Sequence, residues 1–157
     1  MAEIVKAPEP YDLTGKLGVF LAGTIDMGKG ENWQPKAEEW LSDLDNVVIL
    51  NPRRLDWDDS WKQTIKDKQF RGQVEWELKS QEDAAIIFMY FAPGSQSPIT
   101  LLEFGLFLKT GKVIPCCPEG YFRKGNLEVA CNYYGVPLYE DLIEGLDAVR
   151  NKLLRGA

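Results

Sequence analysis

The sequence contains no histidine among its 157 residues. Histidine is the usual general base of Ser-His-Asp and Cys-His nucleophile systems, and it supplies two ligands of HExxH zinc sites. All three kinds of site are therefore excluded. Any acid–base or nucleophilic chemistry in this protein has to use carboxylates, hydroxyls, amides or backbone groups.

Cysteine is also scarce, and its spacing suits neither a disulfide framework nor a metal site. The three cysteines are Cys116, Cys117 and Cys131, an odd number with no CxxC spacing. Two of them follow an apolar stretch, so we expect buried thiols at a strand end and a cytoplasmic protein. Long apolar runs are missing too, and residues 1–11 are polar and contain prolines. We therefore expect neither a membrane-spanning helix nor a signal peptide.

Positive charge is in deficit, since 18 basic residues face 24 acidic ones and the net charge is −6. No block of lysine or arginine occurs, which argues against a protein that binds nucleic-acid polymers or membrane surfaces. The length is that of one globular domain, which buries roughly 70% of the surface of its unfolded chain. We expect a single domain over residues 1–157, with residues 1–15 as a loose arm because of Pro8, Pro10 and Gly15.

Short apolar segments alternate with segments whose apolar residues recur at helical spacing. The predicted strands are 17–22, 47–50, 84–91, 113–116 and 136–138. The predicted helices are one that begins near Pro35, then 67–81, 99–109, 126–133 and 140–154. This alternation predicts an α/β domain with a mostly parallel five-stranded sheet flanked by helices, of the flavodoxin- or Rossmann-like kind.

Ligands of such folds bind beyond the carboxyl ends of the strands. One of these ends is the glycine-rich loop GTIDMGKG, which begins at Gly23 and nearly matches the phosphate-binding pattern GxxxxGK[ST]. However, Gly30 replaces the hydroxyl that binds magnesium, and Asp26 would place negative charge among the phosphates. The loop is better suited to bringing backbone close to a small polar ligand, with Asp26 as a hydrogen-bond partner.

Glu103 is the most unusual residue, because its predicted helix is apolar on nearly all sides. The residues three and four positions away are uncharged: Ile99, Thr100, Leu106 and Phe107. No helical ion pair can therefore neutralise the carboxylate. It is either placed at the mouth of the sheet for chemistry or is a peripheral side chain that reaches water.

Two further groups of residues leave a functional and a structural interpretation open. Glu75 could act in chemistry, or it could pair at the surface with Arg71 or Lys79, each four residues away. In the segment that begins at Arg53, Trp57 or Trp61 could stack on a planar ring, and Arg53 or Arg54 could hold an anion. Alternatively, that segment is a self-paired surface loop.

Taken together, several segments resemble the nucleoside 2-deoxyribosyltransferases over about residues 17–138. The segments are VFLAG at 19–23, NPRR at 51–54, EWE at 75–77 followed by Asp83, Ser97 with the EFG of 103–105, and Gly125-Asn126. The resemblance implies that Glu103 is the nucleophile. It also implies that Glu75, eight residues before Asp83, handles the nucleobase proton, with Glu77 in reserve. Asn126 matches the asparagine that a neighbouring subunit contributes to the sugar site, which implies a homo-oligomer with shared active sites.

The resemblance implies an enzyme that transfers 2-deoxyribose between nucleobases through a covalent glycosyl-glutamate, without a metal or organic cofactor. Its substrates would be a deoxynucleoside and a free nucleobase. Ser97 departs from the transferase pattern, which commonly has Asp there. Serine resembles the related deoxynucleoside 5′-monophosphate N-glycosidases, where it meets the 5′-phosphate. Hydrolysis of a monophosphate is therefore one alternative, and a catalytically silent nucleotide-binding module is another.

Overall fold

A five-stranded parallel sheet forms the centre of the protein in the computed structural model, which describes residues 1–24, 32–54, 56, 58 and 60–157. The strands are β1 (Glu3–Lys6), β2 (Leu17–Gly23), β3 (Val47–Asn51), β4 (Ile86–Tyr90) and β5 (Val113–Cys116), in the spatial order β1-β3-β2-β4-β5. The helices are α1 (Gln34–Leu41), α2 (Lys68–Asp83), α3 (Pro98–Phe107), α4 (Lys124–Tyr134) and α5 (Leu142–Leu154). The predicted flavodoxin-like α/β fold is confirmed.

Both faces of the sheet are buried, because successive residues of each strand point to opposite sides. In β2, Val19 and Leu21 pack in the core cluster that includes residues of α1 and α5. Phe20 and Ala22 pack in the other cluster, with residues of α2, α3 and α4. The result is a three-layer arrangement in which α2 and α3 lie on the same side of the sheet.

The segment expected to be a loose arm contains strand β1, so that expectation is wrong over Glu3–Lys6. This strand pairs in parallel with β3 at the edge of the sheet, and Val5 is buried there. The amino group of Met1 donates to Asp45 at 2.6 Å, which ties down the start of the chain. A four-residue edge strand with one buried side chain has no apolar run, so the sequence pattern gives no sign of it.

The last predicted strand, 136–138, is also wrong. In its place a single residue, Tyr139, forms an isolated parallel bridge with Cys116. The Cys117 amide donates to the Tyr139 carbonyl at 2.7 Å, so the chain does return to this edge of the sheet. The predicted helix 99–109 ends at Phe107 and continues as a 3₁₀ turn over Leu108–Thr110 before Gly111, which has a left-handed backbone.

Among the described residues, no helix is long and apolar enough to cross a membrane.

Candidate active site

Helix α2 turns one face to Glu103 of α3, since Gln81 on that face donates to the Glu103 carboxylate. Glu77, four residues before Gln81, lies on the same face. Glu103 lies in the second turn of α3 and only 5% of its surface is exposed. Glu77 lies in the middle of α2, partly buried, and close enough for the charge of Glu103 to act on it. Sequence reasoning singled out both residues, but only the structure shows that they form a pair.

Burial makes both carboxyl groups unusually weak acids. It raises the pKa of Glu103 to about 7, although a hydrogen bond from Gln81 works against this rise. Burial, together with the negative charge of Glu103, raises the pKa of Glu77 to about 8. The pair therefore keeps a proton to a higher pH than an exposed glutamate does, and near neutral pH this proton is shared between the two carboxyl groups. A nucleophile beside an acid is what displacement of a weak leaving group requires.

Glu75 lies on a different face of α2. Its carboxylate accepts a hydrogen bond from the Arg71 guanidinium at 2.9 Å, and its side chain is 61% exposed. Two residues along an α-helix correspond to roughly 200° of rotation. Because Glu77 faces Glu103, Glu75 points away from it, and the surface pairing with Arg71 is the interpretation that the structure favours.

Two glutamines of α2, which sequence reasoning missed, bind the two carboxylates. The Nε2 of Gln81 donates to Glu103 Oε2 at 2.6 Å, and the Nε2 of Gln73 donates to Glu77 Oε2 at 3.1 Å. Both glutamines are buried. A signal for them does exist, since Gln73, Glu77 and Gln81 recur every four residues and so share one face of the helix.

A buried cluster of three hydroxyl groups joins the ends of β2 and β4 to the start of α3. Thr24 Oγ1 lies 2.6 Å from Ser97 Oγ and 3.2 Å from Ser95 Oγ, and the two serine oxygens are 2.9 Å apart. Thr24 Oγ1 also accepts from the Ala92 amide at 3.0 Å. These bonds hold Ser97 in a left-handed conformation, with φ of 46°, immediately before α3. The cluster therefore sets where α3 begins and, in the second turn of this helix, where Glu103 lies.

Comparison with known proteins shows the family to which the chain belongs. The family model described as "Nucleoside 2-deoxyribosyltransferase like" matches residues 16–121. The chain belongs to the nucleoside 2-deoxyribosyltransferase-like family. The matched region contains the two facing glutamates and the hydroxyl cluster of this deoxyribosyltransferase-like domain. No curated protein is significantly similar to the chain.

Asn126 lies beyond the part of the chain that the deoxyribosyltransferase-like model matches. It is exposed in the first turn of α4. The preceding loop is anchored by the buried ammonium group of Lys124, which donates to Glu119 at 2.6 Å and to Glu140 at 2.7 Å. The structure thus presents Asn126 on the outside of the domain, on a well-anchored element.

The other residues predicted for a ligand site fall into two groups. Asp26 and Trp57 lie outside the described residues. Gly23 is described, and a Cβ atom there would come within 2.6 Å of both the Trp33 ring and the Tyr90 carbonyl oxygen. Close packing therefore accounts for glycine at this position, and its contact with a ligand stays a prediction.

The segment after β3 is partly self-paired, as one of the two interpretations predicts. Arg54 forms a two-pronged ion pair with Asp56, at 2.8 and 2.9 Å, and its guanidinium lies 4.6 Å from the centre of the Trp61 ring. Arg53 instead donates to the neutral oxygens of Asn32 at 2.6 Å and Gln34 at 3.2 Å. The two adjacent arginines therefore have different surroundings, one ionic and one amide-lined.

The buried-thiol prediction is confirmed for Cys116 and Cys117, and Cys131 is buried as well. Burial raises the pKa of Cys117 to about 12 and that of Cys131 to about 11, so these thiols stay protonated at neutral pH and are poor nucleophiles. Within the described part of the chain, no group of three or more acidic or cysteine side chains is arranged to hold a metal ion.

Proposed function

We propose that this protein cleaves and re-forms the N-glycosidic bond of 2′-deoxynucleosides and so transfers 2-deoxyribose from one nucleobase to another. The observation that carries the proposal is the Glu77–Glu103 pair, two carboxyl groups at the contact between α2 and α3 whose pKa values are raised by burial, so that the pair retains a proton near neutral pH. Membership of the deoxyribosyltransferase-like family supports the same substrate class.

In the first half of the reaction, a carboxylate oxygen of Glu103 bonds to C1′ as the C1′–N bond breaks. The electron pair of that bond leaves on the base nitrogen, and the Glu77 carboxyl group donates its proton to the departing base. In the second half, a nitrogen of the incoming base attacks C1′, Glu103 leaves as a carboxylate, and Glu77 takes up the proton that this base releases. Two inversions at C1′ give net retention.

Glu77, rather than Glu75, is our choice for the proton-handling group. A general acid must lie next to the reacting bond and must hold a proton near neutral pH. Two observations support Glu77: it lies on the face of α2 that is turned to Glu103, and burial raises its pKa. Glu75 is exposed and its carboxylate is occupied by Arg71.

The surface of the domain supports a homo-oligomer with shared active sites. Three side chains on α3, spaced as one helical stripe, are more than half exposed: Ile99, Leu102 and Leu106. On α4, Val129 and Tyr133 are exposed as well. Apolar faces of this kind usually mark contacts between proteins. A partner subunit seated here would lie beside Asn126, which on this proposal enters the sugar site of its neighbour.

The decisive experiment follows the products by chromatography. Protein incubated with deoxyinosine and adenine is expected to release hypoxanthine and form deoxyadenosine. Intact mass after rapid acid quenching is expected to show one added deoxyribosyl group on the wild type and none on the matched variant Glu103→Gln. Free deoxyribose without deoxyadenosine would indicate hydrolysis in place of transfer. Binding with neither product nor adduct would indicate a silent binding module.

The same assay with a deoxynucleoside 5′-monophosphate tests the other substrate. A phosphate contact by Ser97 would require its hydroxyl to exchange the bonds with Thr24 and Ser95 for a bond to the ligand. We therefore propose the nucleoside as the substrate. Release of deoxyribose phosphate from the monophosphate would overturn that choice.

A further inference from the structure

The contacts of the buried Gln81 amide determine which of its two ends faces Glu103. Its Nε2 lies 2.6 Å from Glu103 Oε2 and 3.1 Å from the backbone carbonyl oxygen of Glu77. A reversed amide would place its oxygen against these two oxygens. The NH₂ group must therefore face them, and both of its hydrogens are used. With Gln81 0% exposed, water cannot take over either bond.

We propose that Gln81 is a positioning residue that holds the Glu103 carboxylate ionised and in one orientation, so that the shared proton resides on Glu77. The inference rests on the proposed function for the roles of the two glutamates. The preferred location of the proton, however, is a property of the protein without any ligand.

The lengths of the two amide–carboxylate bonds support this asymmetry. Gln81 approaches Glu103 to 2.6 Å, whereas Gln73 approaches Glu77 to 3.1 Å. Each NH₂ group also donates to one backbone carbonyl, that of Glu77 at 3.1 Å for Gln81 and that of Pro52 at 3.0 Å for Gln73, so the difference lies in the carboxylate bond. Short donations to a carboxylate stabilise its charge more than long ones do. The hydrogen bond from Gln81 lowers the pKa of Glu103, in opposition to burial.

No cation among the described residues offers another way to stabilise the Glu103 charge. From α2, the charged group coupled to Glu103 is Glu77, which is itself acidic. The ammonium group of Lys112 is bound to the backbone carbonyls of Gln81 and Glu82, at 2.7 and 2.8 Å, and does not act on Glu103. The strands beneath, β2 and β4, contain no ionisable side chain except Tyr90. After α3 comes Lys109, which is exposed, with its ammonium group 5.3 Å from the centre of the Tyr134 ring. The amide of Gln81 is therefore the main stabilising contact of the carboxylate.

The test is a titration of the ligand-free protein, labelled with ¹³C at the glutamate carboxyl carbons and followed by NMR. Glu103→Gln and Glu77→Gln assign the two resonances. In Gln81→Met, which keeps the size of the side chain and removes the N–H groups, we expect the Glu103 midpoint to rise by roughly one to two pH units. Gln73→Met is expected to act mainly on Glu77. Gln69→Met, the same change at an exposed position of α2, is the control and should move neither.

A Glu103 midpoint that does not rise in Gln81→Met would overturn the inference, whatever the activity of the protein. Should that variant not fold, as judged by circular dichroism, Gln81→Leu replaces it in the same titration. A raised midpoint in a protein without transferase or hydrolase activity would support the inference and refute the proposed function. In an active protein, the acid limb of the kcat/KM profile should shift upward with the midpoint, a change that a purely structural role would not cause.

Discussion

Replacing Glu103 by glutamine is expected to stabilise the protein at high pH while it destroys activity. In the folded protein the pKa of Glu103 rises from its ordinary value of 4.5 to about 7. Each pKa unit corresponds to about 1.4 kcal/mol, so ionising this buried carboxyl group costs the folded state roughly 3 kcal/mol. Gln81 can donate to a glutamine oxygen as it does to the carboxylate, and glutamine carries no charge to desolvate.

The pH dependence follows from the direction of the shift. Below pH 4.5 the carboxyl group is protonated in both the folded and the unfolded chain, so it adds no cost. Between 4.5 and about 7 the unfolded chain loses this proton and the folded one keeps it, so stability falls as the pH rises. Above 7 the loss is complete. Glu77, whose pKa is also raised by burial, adds to the loss in the same direction.

Urea unfolding of wild type and Glu103→Gln at pH 4.5 and pH 8 measures the difference. We expect nearly equal free energies of unfolding at pH 4.5, and a variant more stable by roughly 3 kcal/mol at pH 8. Glu75→Gln, on the exposed face of α2, is the control and should change the free energy by less than about 0.5 kcal/mol at either pH. A Glu103→Gln variant no more stable than wild type at pH 8 would refute the reasoning, because the buried charge would then carry no penalty.

Other variants test the roles of individual residues. Glu103→Gln should lower turnover by several orders of magnitude, and a Glu103→Ala protein that keeps more than about a tenth of the activity would remove this residue from the mechanism. Glu77→Gln should lower the rate for nucleosides with poor leaving groups more than the rate for activated nucleosides, as measured by steady-state kinetics. Glu75→Gln should leave both rates near those of the wild type. The reverse pattern would restore Glu75 as the acid. Ser97→Ala should lower the melting temperature by loosening the hydroxyl cluster, and inhibition by monophosphates that disappears in this variant would instead indicate a phosphate contact. Inactive Glu103→Ala and Asn126→Ala oligomers should regain activity when dissociated, mixed and reassembled, and a mixed oligomer verified by mass without such a gain would place the site within one chain.

The fold could be predicted from the sequence wherever burial leaves a pattern. Strands β2, β3, β4 and β5 are buried on both faces and therefore appear as continuous apolar runs. Strand β1 could not be predicted in this way, because it sits at the edge of the sheet and buries only Val5. Its position depends on pairing with β3, which is distant in sequence.

The candidate site could be predicted only in part. Glu103 was identifiable because its apolar helix provides no cation. The choice between Glu75 and Glu77 depends on how α2 is rotated against α3, and a spacing counted along the chain does not contain that angle. The role of Gln81 could not be predicted, because a glutamine in a helix with many charged residues ordinarily faces water, whereas this one is fully buried.

The buried face of α2 contains polar side chains that lower the stability of the domain. Its buried side chains are Gln73, Ser80 and Gln81, at positions where a helix packed on a sheet normally has leucine or valine. The amide oxygens of both glutamines are buried with no hydrogen-bond partner among the described residues, which adds to the penalty of the two facing carboxyl groups. Well-packed hydrophobic side chains of similar volume would stabilise the fold more. These unfavourably buried polar groups lie together on the face of α2 that is turned to Glu103. Such a concentration is expected where chemistry rather than stability determines the choice of residues.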